Sequence, residues 1–158
     1  MDWAGWAVFG LVATAVLTVV MLCAQLGGLT RLDLSLMLGT LVTPDPDRAR
    51  VIGFGLHLIA GQLFAIGYAT IFAITNDATW WAGAMLGLLH GAVALAVIVP
   101  LLPAVHPRMA SARAGLLTGA RLEPPGLFAL NYGIQTPAVA LVAHVCYGVA
   151  LGLLLKGG

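Results

Sequence analysis

Three of the four histidines, His57, His90 and His144, lie inside long apolar stretches that contain no Asp, Glu, Lys or Arg. An imidazole in hydrocarbon needs a hydrogen-bond, metal or water partner, so each marks a candidate site. His57 and His144 are each followed four residues later by glycine, Gly61 and Gly148, and preceded four residues earlier by a small residue, Gly53 and Ala140. Positions four apart share one face of a helix, so each helix would present a smooth groove holding one imidazole. Two opposed histidines on neighbouring helices are the ligand set of a six-coordinate b-type haem, with glycines leaving room for the macrocycle. Arg48, Arg50 and Arg121, on the loop side of these helices, would then meet the propionates. Small-x-x-x-small stripes are equally the usual way membrane helices pack, and Gly83, Gly87 and Gly91 form one with no ligand role implied. On that reading the histidines hydrogen-bond to a neighbour such as Tyr147, Gln62 or a backbone carbonyl. His90 stands alone near the middle of its stretch, where an imidazole is suited to relaying protons. No carboxylate accompanies it at depth, which counts against a proton-coupled transporter.

The elements that must carry these residues follow from where the charges are. Asp2, Arg31, Asp33, Asp45, Asp47, Arg48, Arg50, Asp77, Arg108, Arg113, Arg121, Glu123 and Lys156 leave four uncharged intervals, 3–30, 51–76, 78–107 and 124–155. Each exceeds the roughly 20 residues needed to cross a bilayer core. With 61% hydrophobic and 8% charged residues, and a mean hydropathy of +1.02, the chain reads as an integral membrane protein. Lipid offers no partners to backbone N–H and C=O, so the spans must be helices or a closed barrel. The runs lack the polar/apolar alternation of barrel strands. The expectation is a single all-α transmembrane domain over 1–158. Its helices fall near 4–26, 51–74, 80–102 and 136–155, with Pro100 and Pro103 ending the third and Pro137 opening the fourth. The start has no basic n-region and reads as a retained helix, not a signal peptide.

Loop 27–50 carries Arg31, Arg48 and Arg50, and loop 103–135 carries Arg108, Arg113 and Arg121, whereas the opposite side has only Lys156. The positive-inside rule puts both long loops in the cytoplasm and both termini outside. Leu29–Val42 and Leu122–Tyr132 suit segments lying flat in the membrane interface. Trp3, Trp6, Trp80 and Trp81 form an interfacial belt at the other face. The halves resemble one another: Gly10–Val16 echoes Gly87–Val93, and aligning His57 with His144 superposes Gly61 on Gly148 and Gly39 on Gly126. This predicts a 2+2 parallel repeat about an axis along the membrane normal. At a rise of about 1.5 Å per residue, His57 and His144 would both lie about 10 Å from the cytoplasmic edge.

The strings His106-Pro-Arg-Met-Ala, Leu122-Glu-Pro-Pro-Gly and Asn131-Tyr-Gly, followed by His144-x-x-Tyr-Gly, resemble those of a group of small bacterial four-helix integral membrane proteins of unknown function. The resemblance covers nearly the whole chain. It implies no activity, substrate or cofactor, only that the polar residues of the second long loop belong with the helices.

The remaining polar residues sit in the long loops. Asp45-x-Asp47 suits a cap for the second helix, while His106 with Glu123 would make a metal or acid–base pair, and Arg108, Asn131 and Tyr132 stand nearby. Basic loop residues beside a membrane commonly contact anionic headgroups. Cys23 and Cys146 lie in apolar helices without zinc or disulfide spacing and read as small buried hydrophobes. No phosphate loop, H-E-x-x-H or G-x-S-x-G is present, and the net charge of +1 does not point to nucleic acid. No enzyme is expected. The leading expectation is a non-enzymatic multi-pass protein of a bacterial cytoplasmic (inner) membrane, acting by association as a homo-oligomer or an accessory subunit of a membrane complex. Alternatives are a haem b or metal-binding electron carrier using His57 and His144, and a permease or channel for a small solute.

Overall fold

A computed structural model describes residues 3–110 and 122–155. They are helical apart from connecting loops and an isolated bridge between Met109 and Leu122. In chain order the helices are α1 (Trp3–Leu26), α2 (Leu34–Gly39), α3 (Pro46–Thr75), α4 (Trp80–Val93) and, after a π-helical turn (Ala94–Ile98), α5 (Val99–Val105). A 3-10 turn (Leu127–Tyr132) precedes α6 (Thr136–Leu154). Gly5–Leu26, Pro46–Thr75, Trp80–Val105 and Thr136–Leu154 are each long and apolar enough to cross a membrane, so this is a multi-pass membrane protein.

Local chemistry sets the helix ends. α3 begins five residues before the expected Val51 because Asp45 caps it, accepting from the backbone N–H groups of Asp47 at 3.0 Å and Arg48 at 2.9 Å, with Pro46 preset for the first turn. It stops at Asn76, whose left-handed φ of 53° suits a residue that tolerates that region. The third span corrects the expectation that Pro100 and Pro103 end it. Proline supplies no N–H and its ring crowds the carbonyl four residues back. Just before Pro100 the helix widens to a π turn in which the Val99 N–H reaches Ala94 O, and the span then continues to Val105.

Helix α6 is the hub. It packs along α4 on one side and α1 on the other, and α1 in turn packs on α3. Glycines permit the closest approaches. A Cβ at Gly83 would strike the Gly148 backbone, one at Gly87 the His144 backbone, and one at Gly61 the Thr14 side chain. Lipid is as apolar as leucine, so such close packing, not burial from water, holds membrane helices together. Although consecutive in sequence, α3 and α4 do not pack along their length.

The stretch 29–42, read from the sequence as an interfacial segment, holds α2, tucked against the start of α3. Asp33 caps it by accepting from Leu36 N–H at 2.8 Å. At Gly39 and Gly53 added Cβ atoms would collide with the backbones of Ala49 and Ser35, so the two helices nearly touch. The second long loop is stitched to the first. Arg31 N–H donates to Tyr132 O at 2.8 Å, Thr30 and Thr136 hydroxyls meet at 2.7 Å, and the Arg31 guanidinium reaches Asn131 O and pairs with Glu123 at 3.2 Å.

Candidate functional site, a histidine-lined cavity

Because α3 and α4 stand apart, a cavity of about 180 Å³ remains between the spans, roofed by α6 and α1. His57 of α3, His90 of α4 and His144 of α6 all line it. On α3, His57, Gly61, Phe64, Tyr68 and Phe72 recur at helical spacing and share a face, which brings rings toward α4. The His90 ring lies against Phe64 with centroids 3.9 Å apart and meets the His144 ring edge-on at 4.8 Å. Tyr68 and Tyr147 stand edge to face at 5.4 Å, and the Tyr68 hydroxyl is 3.4 Å from His90 Nδ1. These rings bridge the gap that the α3 and α4 backbones leave open. His90 therefore does not stand alone: it is the closest ring neighbour of His144.

The hydrogen bonds fix what each imidazole can offer. His144 Nδ1 lies 2.7 Å from Ala140 O, one turn back. A carbonyl only accepts, so Nδ1 carries the proton and an uncharged His144 presents Nε2 as an acceptor. His57 Nε2 is buried without a hydrogen-bond partner. Tyr147 is 1% exposed and its hydroxyl donates to Gly61 O at 2.6 Å, tying α6 to α3 across the bundle. Thr14, fully buried beside Gly61, returns its hydroxyl to Gly10 O at 2.7 Å. Among the described residues, no Asp, Glu, Lys or Arg lines the cavity.

This geometry alters the cofactor expectation. Gly61 and Gly148 do not open a groove, since Thr14 and Gly83 occupy the space beside them. Pockets for drug-sized ligands run to roughly 300–1,000 Å³, and a tetrapyrrole belongs at that scale or above. The cavity of about 180 Å³, with His90 already against His144, does not fit a haem. Among the described residues, no three His, Cys, Asp or Glu side chains gather to hold a metal ion. Arg48 is exposed in the first turn of α3, Arg50 pairs with Asp33 at 2.9 Å, and Arg121 lies outside the described residues.

The loop residues form a clamp, not a second centre. His106 is 4% exposed. Its Nε2 donates to Met37 O at 3.0 Å, and its Nδ1 accepts from Arg108 N–H at 3.1 Å. Arg108 donates to Thr40 O at 2.6 Å. Together they hold α2 so that Leu34, Met37 and Leu38 close one end of the cavity. The expected His106–Glu123 pair does not form, because Glu123 pairs with Arg31 and His106 faces the α2 backbone. Asn131 donates to Pro124 O at 2.9 Å and shapes the turn. The Tyr132 hydroxyl donates to Glu123 O at 2.5 Å. Burial, with the Glu123 carboxylate, pushes its phenol above the usual 10.0, and Arg31 opposes this in part.

Phe64, Tyr68 and Thr14 were not among the sequence candidates. The spacing of Phe64 and Tyr68 from His57 would have placed them on its face, whereas Thr14 reaches the site only because α1 packs against Gly61. Comparison with protein-family models, curated proteins and solved structures finds no match to this chain.

Proposed function

We propose that this is a non-enzymatic, multi-pass protein of a bacterial cytoplasmic membrane that works by association inside the bilayer, as a homo-oligomer or as an accessory subunit of a larger complex. One observation carries the reading. Outside the bundle, between α1 and α6, runs an open apolar groove of about 650 Å³, lined by Val19, Cys23, Ala24, Ala138 and Val142. Its small side chains let another helix come close, which is how spans associate where no hydrophobic force separates protein from lipid. The orientation with both long loops in the cytoplasm goes with this proposal. Arg31, Arg48, Arg50 and Arg108 all belong to the loop end of the bundle, as the positive-inside rule asks. The 2+2 repeat draws support from the matched pairs α1–α3 and α4–α6, each with a glycine of its second helix, Gly61 or Gly148, against the first.

Exposed Cys23 lies in the groove, whereas Cys146 is half-buried. Thiol cross-linking of a Cys146→Ala variant in native membranes is expected to trap Cys23 against a second copy or another subunit, and Ala138→Trp is expected to abolish the adduct. A monomeric mass in nanodiscs, with no partner co-purifying from native membranes, overturns the proposal. A second reading, a solute path, draws on the histidine-lined cavity and not on this groove. It predicts liposome flux that changes in His90→Ala.

A further inference from the structure

We propose that the cavity between α3, α4 and α6 is a binding site for a neutral, lipid-soluble molecule built on one hydroxylated aromatic ring, a phenol or the hydroquinone head of a longer lipid. Four observations select this class. The first is size: a cavity near 150 Å³ accepts one benzene-sized ring, and this one is about 180 Å³. The second is charge, since among the described residues no Asp, Glu, Lys or Arg lines it, so an ion would enter uncompensated. The third is the polar group required. His144 spends its Nδ1–H on Ala140 O and makes no other hydrogen bond among the described residues, which leaves Nε2 an acceptor for a hydroxyl. His57, on the same cavity, has its Nε2 buried without a hydrogen-bond partner. The fourth is shape: Phe64, His90 and Tyr147 line the cavity with rings from three helices, which favours a ligand that is itself an aromatic ring.

The route is lateral. α2 closes the loop end through Met37 and Leu38, whereas the seam where α3 and α4 fail to pack is bridged only by side chains, with Phe64 41% exposed. A ligand dissolved in the bilayer reaches the histidines there without crossing water.

The test uses the full chain in nanodiscs with 4-fluorophenol as the probe, followed by fluorine NMR. Saturable binding is expected, and fluorobenzene, which cannot donate, is expected to bind more weakly by about fivefold or more, the factor of one hydrogen bond. His144→Leu is expected to erase that difference. Ala60→Trp, which puts an indole into the cavity from its α3 wall, is expected to abolish binding of both probes while circular dichroism stays unchanged. Absence of saturable phenol binding, equal affinity for the two probes, or full binding by Ala60→Trp overturns the proposal. Hydroquinone with and without a decyl chain separates the sources: tighter binding of the tailed form assigns the site to a membrane lipid, and equal binding assigns it to a free small molecule.

Discussion

Gly148→Ala is expected to part α6 from α4. The added Cβ would run into the Gly83 carbonyl and come within 3.1 Å of Gly87 N, both backbone atoms of α4 that cannot swing aside. Restoring an ordinary separation of roughly 3.5–4 Å moves the two helices apart over the whole stretch from Gly83 to Gly91. Overpacking of this kind costs about 1–3 kcal/mol. The added Cβ starts far inside contact distance of the Gly83 carbonyl, so the gap opened exceeds about 1 Å and forfeits about half or more of each atom pair's ~0.1–0.2 kcal/mol. The better helix propensity of alanine returns at most about 1 kcal/mol, so a net loss of about 2 kcal/mol is expected. Gly67→Ala is the matched control, because a Cβ there meets nothing within 4 Å, and only the propensity gain of about 0.5–1 kcal/mol applies. The two substitutions are chemically identical and are expected to shift stability in opposite directions. Reversible unfolding in mixed detergent–SDS micelles, followed by ellipticity, measures both. Equal shifts, or a Gly148→Ala variant as stable as the parent, would refute the argument that glycine-mediated backbone contact holds α4 on α6.

Three further outcomes can be checked. Tyr147→Phe removes the bond to Gly61 O but leaves that carbonyl in the α3 ladder, so the same unfolding assay should show a loss of only about 0.6–1 kcal/mol. Tyr147→Ala should lose about 3–5 kcal/mol, because it also empties the core. His106→Ala orphans Arg108 N–H and frees α2; a loss of about 1–3 kcal/mol is expected, with faster amide exchange over 34–40 than over α6. Tyr132 ionises above 10.0 in the folded chain. Its stabilising contribution is thus fully present below pH 10 and is lost as pH rises through the higher folded value. Tyr132→Phe should flatten stability above pH 10 relative to the parent, and an unchanged alkaline slope would count against the buried, Glu123-facing phenol.

Much of the scaffold was legible locally. The four spans followed from uncharged runs longer than a bilayer core, the cap at Asp45 from an aspartate before proline, and the packing faces from glycines spaced four apart. Each depends only on residues near one another in sequence. The end of the third span was misread because Pro100 normally stops a helix, and the π turn that accommodates it leaves no sequence mark.

The site was legible only in part. That an imidazole in an apolar run demands a partner singled out His57, His90 and His144 from composition alone. Which rings meet was decided by the lateral order of the helices. In lipid no hydrophobic gradient sets that order, and it rests on which backbones interlock. Gly83 and Gly87 lock α4 onto α6 and bring His90 against His144, while Gly61 locks α3 onto α1 and holds His57 on the α3 wall of the cavity. The glycines that suggested room for a cofactor prove to be where the helices touch. The room lies instead between α3 and α4, which no glycine pair draws together.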